Sequence, residues 1–387
     1  MTALQYLLVC GTALFSVMGV SSILPILPQL AKEFAMAESA IGILVASFTL
    51  PGVFLAAVGG IISDRLGRKT VLVPSLVLFA LGALACIMAT SQNEFVAARI
   101  IQGTGAASLG TLYNTLIGDL CRDETERLKA LGITMMLVAT GGALFPALGG
   151  LLGEWQLDAP FFLGLFALPL ALLVLFTPLP TPPRAPQKLA AYARQGLACI
   201  CTRRRLCLFG ISFIVFGILY GPLITYFPLF ANTRFDASPT QIGLVYAATI
   251  LGISFGGIFM PQLGRRFSPR PLALCGAIFL CASMYLMPHM PWLWLSALPV
   301  LCYGLGQGFL YPLTMSALTG DSPDQTRSIV LAANATTIRL SQTLMSALCG
   351  LLFSLWSFDG VFSTGLVLAA LLFILVPLAL PQKKHFS

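Results

Sequence analysis

The sequence predicts an all-α polytopic membrane protein, with twelve transmembrane helices in two pseudo-symmetric six-helix bundles. Three observations predict it. Apolar runs of about 20 residues recur from end to end, each long enough to cross roughly 30 Å of hydrocarbon. Hydrophobic residues make up 57% of the 387 positions and charged residues only 9%. Soluble domains carry about 25% charged residues, so a water-soluble globule is excluded, and a disordered chain would need the opposite composition. The third observation is a glycine- and arginine-bearing segment near residue 60 that returns at an offset of 197. A membrane barrel is excluded because stretches such as 71–89 and 361–380 are apolar throughout rather than alternating. Only an intrahelical ladder satisfies such a backbone in lipid.

Span 1 covers residues 6–30. No Lys or Arg precedes Lys32, so the stretch lacks the basic start of a signal peptide and is too long for one. It reads as a retained helix. Spans 2 and 3, at 41–62 and 71–90, flank a polar loop. Span 4, at 95–117, carries Arg99 and closes on Gly118-Asp119. Span 5, at 129–152, holds Gly141, Pro146, Gly149 and Gly150. Span 6 covers 160–178. Residues 179–205 break the apolar pattern with Pro180, Pro182, Pro183 and Pro186, then turn basic through Arg203-Arg204-Arg205. This long polar connection is read as a cytoplasmic central loop between an N-terminal bundle, 1–178, and a C-terminal bundle, 206–387. Spans 7 to 12 follow at 206–231, 240–263, 271–289, 292–317, 328–352 and 360–380.

Lys and Arg fix the orientation. With both termini in the cytoplasm, eighteen of the 22 basic residues fall inside. Only Lys32 and Arg234 fall outside, and Arg99 and Arg339 lie within spans. The net charge of +8 is therefore a topology signal and not a nucleic-acid footprint. Six of the ten cysteines sit in spans, where Cys acts as a small apolar residue. Cys199-x-Cys201 has no second pair, and His289 and His385 have no partner at ligand spacing. Neither a metal nor a cofactor is expected.

The internal repeat supports two halves. Gly59-Gly60-Ile61-Ile62-Ser63-Asp64-Arg65-Leu66-Gly67-Arg68-Lys69 aligns without gaps on residues 256–266, with six of eleven positions identical. Residues 147–152 match 347–352, and Gly118-Asp119 matches Gly320-Asp321. Same-order halves of six spans are the parallel-repeat arrangement of many secondary transporters.

At Gly60-x-x-x-Asp64-Arg65-x-Gly67-Arg68-Lys69 the chain resembles the major facilitator superfamily, and the likeness extends over essentially the whole length. In that family the Asp caps a helix end in the other half and the arginines pair with an acid at the end of helix 4. The resemblance thus makes Gly60, Asp64, Arg65, Gly67, Arg68 and Asp119 a conformational latch. Arg99-x-x-Gln102-Gly103-x-Gly105 is similar to the second signature of the drug:proton antiporter branch. Phe145-Pro146-x-x-Gly149-Gly150, with Gly141 upstream, is similar to that branch's antiporter motif, although Phe145 stands where the motif has glycine. Small residues there let span 5 pack tightly against span 8 or span 11. Ordinary helix packing is the competing reading. The ending Leu24-Pro25-Ile26-Leu27-Pro28 of span 1 is also like drug exporters. Several of those carry an acid about one turn earlier, where this chain has Ser21-Ser22. That departure removes the usual proton carrier and leaves Glu33 and Glu94, near the outer face, as imperfect candidates.

None of the 14 acids falls in the middle of a span. Two arginines do, each at about 2.5–3.5 kcal/mol at a helix centre. Arg99 is the shallower, within expected reach of Glu94 or water, and is either a packing or a proton-relay residue. Arg339 has no acid within reach in its own helix. It either bonds carbonyls and amides or binds an anionic ligand in a water-filled cavity. Polar and aromatic residues gather in the same spans: Tyr113 and Asn114, Asn334 and Gln342, Tyr220 and Tyr226, Tyr246, Gln307 and Tyr311. A mostly apolar cavity with few polar anchors suits a small amphiphilic ligand; for any one of these residues, interhelical packing is an equal reading. The expected function is secondary active transport by alternating access: proton-coupled efflux of a small amphiphilic or anionic organic molecule, of the multidrug-resistance kind, by a monomer in a bacterial-type inner membrane. The alternative is uptake or exchange of an organic anion. An enzyme would need a convergent nucleophile and base, which the sequence does not offer.

Overall fold

The computed structural model describes residues 1–121, 123–179, 201–321 and 324–380. Among them the chain is helical, with no strand. Fifteen helices are designated here: α1 (Ala3–Ser21), α2 (Leu27–Glu33), α3 (Ile41–Leu66), α4 (Arg68–Met88), α5 (Gln92–Ala106), α6 (Leu109–Leu120), α7 (Glu124–Trp155), α8 (Ala159–Leu165), α9 (Ala167–Phe176), α10 (Arg203–Ile218), α11 (Phe227–Phe235), α12 (Pro239–Arg266), α13 (Pro269–Leu286), α14 (Ala297–Gly320) and α15 (Asp324–Ala379). They fall into two compact units. The first holds α1 to α9 together with Ser238–Gly243; the second holds α10 and α11 and the chain from Leu244 onward. Most of the central loop expected at 179–205 lies outside the described residues.

Ten helical stretches among the described residues are long and apolar enough to cross a membrane. The departures from twelve have local causes. The fourth expected span is interrupted at Ala107 and Ser108, leaving α5 with 15 residues and α6 with 12. The eleventh and twelfth run together in α15, 56 residues long. At 1.5 Å per residue that is about 84 Å, far more than roughly 30 Å of hydrocarbon. Its backbone is non-helical at Trp356 and Ser357, where φ reaches 53° at the serine, so α15 is two helices across a kink.

Lipid leaves no water to bond a stray backbone group, and the chain answers locally. Thr2 and Gln5 form a capping box at the start of α1. Ser91 caps α5 and Asp123 caps α7. Within helices, hydroxyls fold back: Thr12 Oγ1 donates to Leu8 O at 2.7 Å and Thr134 Oγ1 to Ala130 O at 2.8 Å. The core of unit 1 is aromatic where α1 meets α4 and α5 meets α8, through Phe15–Phe79 and Phe95–Phe161 edge contacts. Large apolar side chains such as Phe54, Met88 and Phe176 point outward, as a lipid-facing surface requires.

The turn from α3 to α4 is a single residue. Gly67 has φ 101° and ψ 158°, a region that side chains disfavour. Gly67→Ala is expected to lower stability by about 1 kcal/mol or more, read as a drop in unfolding temperature in detergent. Ala at Gly118, inside α6 where a Cβ meets nothing within 4 Å, serves as the control and is expected to leave the unfolding temperature unchanged or higher.

Candidate functional site

In unit 1, α4 begins directly after Gly67, which brings Arg68 back over the end of α6. Arg68 Nε donates to Asp119 Oδ2 at 2.5 Å, and Arg68 Nη1 donates to Ser63 Oγ at 3.0 Å. Gly60, Asp64 and Arg65 lie in α3, outside the residues whose side chains are described. Lys69 Nζ reaches Leu175 O at 2.9 Å, tying α4 to α9.

Arg99 is fully buried, deeper than its distance from the start of α5 implies. It does not reach Glu94. Its Nη1 donates to Gly19 O at 3.0 Å and to Gln102 Oε1 at 2.5 Å, and the guanidinium lies 4.3 Å from the Phe48 ring centroid. Nε and Nη2 have no partner among the described residues. The Gly19 carbonyl is available because α1 loses its ladder here. Ile23 N bonds Val20 O at 3.3 Å, not Gly19 O, and Pro25 then opens a short 3₁₀ turn. Arg99 therefore supplies the donor that the broken helix lacks, and the ring face adds a cation–π contact.

Glu94 lies at the exposed start of α5, where its Oε2 accepts from Thr90 N and Thr90 Oγ1, both at 2.9 Å. Glu33 is the exposed last residue of α2. Neither carboxylate is brought to Arg99. Tyr113 is half-buried, and the exposed Asn114 donates to Gly110 O at 3.1 Å within its own helix.

The small residues of α7 mark close approaches. A Cβ at Gly149 would collide with the carbonyl of Ser22, and one at Gly150 with the carbonyl of Pro239. Gly243 meets the carbonyl of Pro146 in the same way. At Gly141 the neighbours are side chains, Leu14 and Phe145. Glu154, one turn beyond, accepts from Thr240 N at 3.1 Å, placing negative charge at the positive end of α12.

In unit 2, Arg339 is half-buried in α15, and among the described residues its guanidinium makes one hydrogen bond, from Nη1 to Gln342 Oε1 at 3.2 Å, and no ion pair. Tyr220 lies within electrostatic reach of Arg339, and Tyr246 within reach of Tyr220. Tyr303 joins this group, with its hydroxyl donating to Val215 O at 2.8 Å. Among the described residues two buried amide oxygens of this unit have no partner, Gln307 Oε1 and Asn334 Oδ1; the Asn334 amide nitrogen is 3.4 Å from Met315 Sδ. Tyr226 stacks on Phe353 and Tyr311 packs edge-on to Phe216, so the structure gives both rings packing partners.

Two features of this region escape the sequence reading. One is Tyr303, a tyrosine in an apolar run with nothing beside it to mark it. The other is a π-helical turn at Leu219–Tyr226, a rare geometry concentrated at functional sites. Gly221-Pro222 is its only sequence signal. The carbonyl of Tyr220 there accepts from Thr225 Oγ1 at 2.5 Å and from Ser346 Oγ at 3.2 Å.

A family model described as Major Facilitator Superfamily matches residues 9–336 and 232–387. The chain belongs to that superfamily. The expectation drawn from the loop motif is met, and the protein is a multi-pass membrane transporter of small molecules. It is 24% identical to Multidrug resistance protein 2 of Bacillus subtilis (strain 168) over 364 residues, covering 90% of this chain and 89% of that one. It is 26% identical over 165 residues to the Quinolone resistance protein NorA of Staphylococcus aureus, 42% of each chain. The crystal structure of a D-xylose-proton symporter superposes with a TM-score of 0.73 at 20% identity, covering 97% of this chain and 98% of that one. That last likeness is one of fold.

The Arg99 contacts make a thermodynamic prediction. Gln102→Leu removes one of the two hydrogen bonds to a buried cation and is expected to cost about 1–3 kcal/mol. Adding Arg99→Met leaves the Gly19 carbonyl without its donor and is expected to lower stability further. Unfolding temperatures of the two variants check it: a double variant no less stable than Gln102→Leu alone contradicts the reading.

Proposed function

We propose that this transporter exports a small amphiphilic organic molecule bearing an anionic group, coupled to proton entry, by alternating access of two six-helix bundles with twelve crossings. We place it as a monomer in a bacterial-type inner membrane, with both termini cytoplasmic. The observation that carries the reading is Arg339, a half-buried guanidinium held, among the described residues, by one amide and by no carboxylate. Tyr220 lies within electrostatic reach of it and Tyr246 within reach of Tyr220, and in the same unit the oxygens of Gln307 and Asn334 have no partner among the described residues. A buried polar atom without a partner calls for a ligand or water. The names of the resistance relatives support export. Arg68 and Asp119 would act as the latch, with Asp64 and Arg65, and Gly149 and Gly150 as the seal of α7.

The experiment is flux in proteoliposomes under an imposed pH gradient. A proton moving down about 100 mV supplies about 2.3 kcal/mol. Outward flux that stops when the gradient is collapsed supports antiport. Flux indifferent to the gradient supports the second reading, uptake or exchange of an organic anion, which the missing acid in span 1 favours. For the site, Arg339→Lys keeps the charge but loses the planar fork. It should weaken binding of an anionic ligand less than Arg339→Ala does, with a neutral analogue unaffected in both. Equal loss of both ligands makes Arg339 structural.

Glu94 is a poor proton carrier. The Thr90 backbone N–H and hydroxyl hold its carboxyl below the usual carboxylate range. It stays ionised at working pH, and the stabilisation from those bonds is lost only as pH falls below that range. A carrier must bind and release protons near the working pH. Glu94→Gln is therefore expected to leave the pH profile of transport unchanged across the neutral range. A displaced profile in Glu94→Gln contradicts this.

A further inference from the structure

The second copy of the loop motif keeps its cations and drops its acid. At the offset of 197, Arg265 and Arg266 stand where Arg68 and Lys69 stand, but Pro261 replaces Asp64. The acid that answers to Asp119 is Asp321, and it is engaged elsewhere. Its Oδ1 accepts from Arg204 Nη1 at 2.7 Å, and its carbonyl accepts from Arg205 Nη2 at 2.6 Å. No Asp or Glu occurs between residues 237 and 320, yet Arg265, Arg266 and Arg270 fall within six residues of one another. Arg266 is exposed and Arg270 half-buried, and neither makes an ion pair among the described residues.

A cavity of about 370 Å³ opens at the same place, walled by Met260, Arg265, Phe267, Leu272, Pro312 and Leu313. Arg266 and Arg270 directly adjoin its lining residues Arg265, Phe267 and Pro269 in the chain. Proline inside α14 removes a ladder donor and bends the helix, and a Cβ at Gly264 would meet nothing within 4 Å, so the ends of α12, α13 and α14 do not close on each other. Phe267 is half-exposed, which leaves the mouth open to the surroundings of the helices. In a membrane an open apolar cavity takes hydrocarbon, and a rim of cations takes phosphate.

We infer that this cavity is a binding site for an anionic phospholipid, with one acyl chain between the ends of α12, α13 and α14 and the phosphate against Arg266 and Arg270. Basic pockets between transmembrane helices hold anionic headgroups in this way. The occupant needs both parts. A free phosphate leaves the apolar walls uncovered, and a zwitterionic lipid brings a cation beside Arg266 and Arg270.

The test uses the full chain in neutral detergent, titrated with dioleoyl phosphatidylglycerol or dioleoyl phosphatidylcholine. Bound lipid is read by native mass spectrometry and stability by thermal unfolding. Phosphatidylglycerol is expected to be retained more strongly and to raise the unfolding temperature further. In the double variant Arg266→Gln, Arg270→Gln its affinity is expected to fall about 25-fold, about fivefold for each arginine, with phosphatidylcholine unchanged. Gly264→Leu, which grows into the cavity, should weaken phosphatidylglycerol with both arginines intact, and glycerol phosphate should compete poorly. The inference is overturned by equal retention of the two lipids, by a double variant that keeps the preference, or by glycerol phosphate competing as well as the whole lipid. Because lipid retention and not flux is read, the result stands apart from the direction and coupling of transport.

Discussion

The structure rests on one constraint: in hydrocarbon, every backbone N–H and C=O must find its partner within the protein. Helices meet it over most of the chain, so the instructive places are those where a helix fails. Span 1 fails at Ser22–Pro25, and the carbonyl it releases at Gly19 is met by a buried arginine from α5. Span 7 fails at Leu219–Tyr226, and the carbonyl of Tyr220 is met by two hydroxyls. In both cases a polar side chain that looks expensive on its own completes the bonding of a neighbouring helix. Arg99 is thereby explained without a carboxylate beside it, whereas Arg339, with a single amide partner, is not. That contrast separates an arginine that completes a neighbouring helix from one with a single amide partner among the described residues.

The two units use the same acid position differently. Asp119 is taken by the arginine that follows Gly67, so the α3–α4 turn and the end of α6 are held together. Asp321 is taken by Arg204 at the start of α10, whose Nε also donates to Ala379 O at 2.8 Å. The repeat has thus preserved an acid at the end of a helix while exchanging the cation that answers it. In the second loop Arg266 and Arg270 make no ion pair among the described residues.

Much of the helical layout is legible in the sequence because long apolar runs have little choice of structure. Boundaries near 41, 71, 129 and 240 lie within five residues of the helix starts at Ile41, Arg68, Glu124 and Pro239. The break at Ala107 and Ser108 is not legible, since Ala and Ser are ordinary in such helices and the interruption comes from packing. Nor is the run-on of α15, where the kink at Ser357 depends on a backbone angle that serine seldom adopts. At the candidate site, residue types are legible and partners are not. The sequence marks Arg99 as costly but points it at Glu94, because distance along one helix is all that a sequence measures. The Gly19 carbonyl belongs to a helix 80 residues away. Tyr303 is missed for the same reason.

The π turn at Leu219–Tyr226 also bears on how this protein compares with its relatives. A π turn holds one residue more than the α-helical path it replaces, and each residue of an α-helix advances the chain by about 100°. The faces of α10 and of α11 are therefore out of phase with a single continuous helix, and the inward positions of Phe227 and Phe230 are set by the extra residue. Removing one residue within the turn would restore a regular helix with these faces kept, but removing one anywhere else in the span would rotate everything after it and turn buried rings toward lipid. Adding a residue elsewhere in the same span would do the same. Aligned against a relative whose seventh span is regular, this chain requires a one-residue gap inside a membrane helix, the place where gaps are normally forbidden. Placed anywhere but at Gly221-Pro222, that gap would assign the wrong face to every residue beyond it.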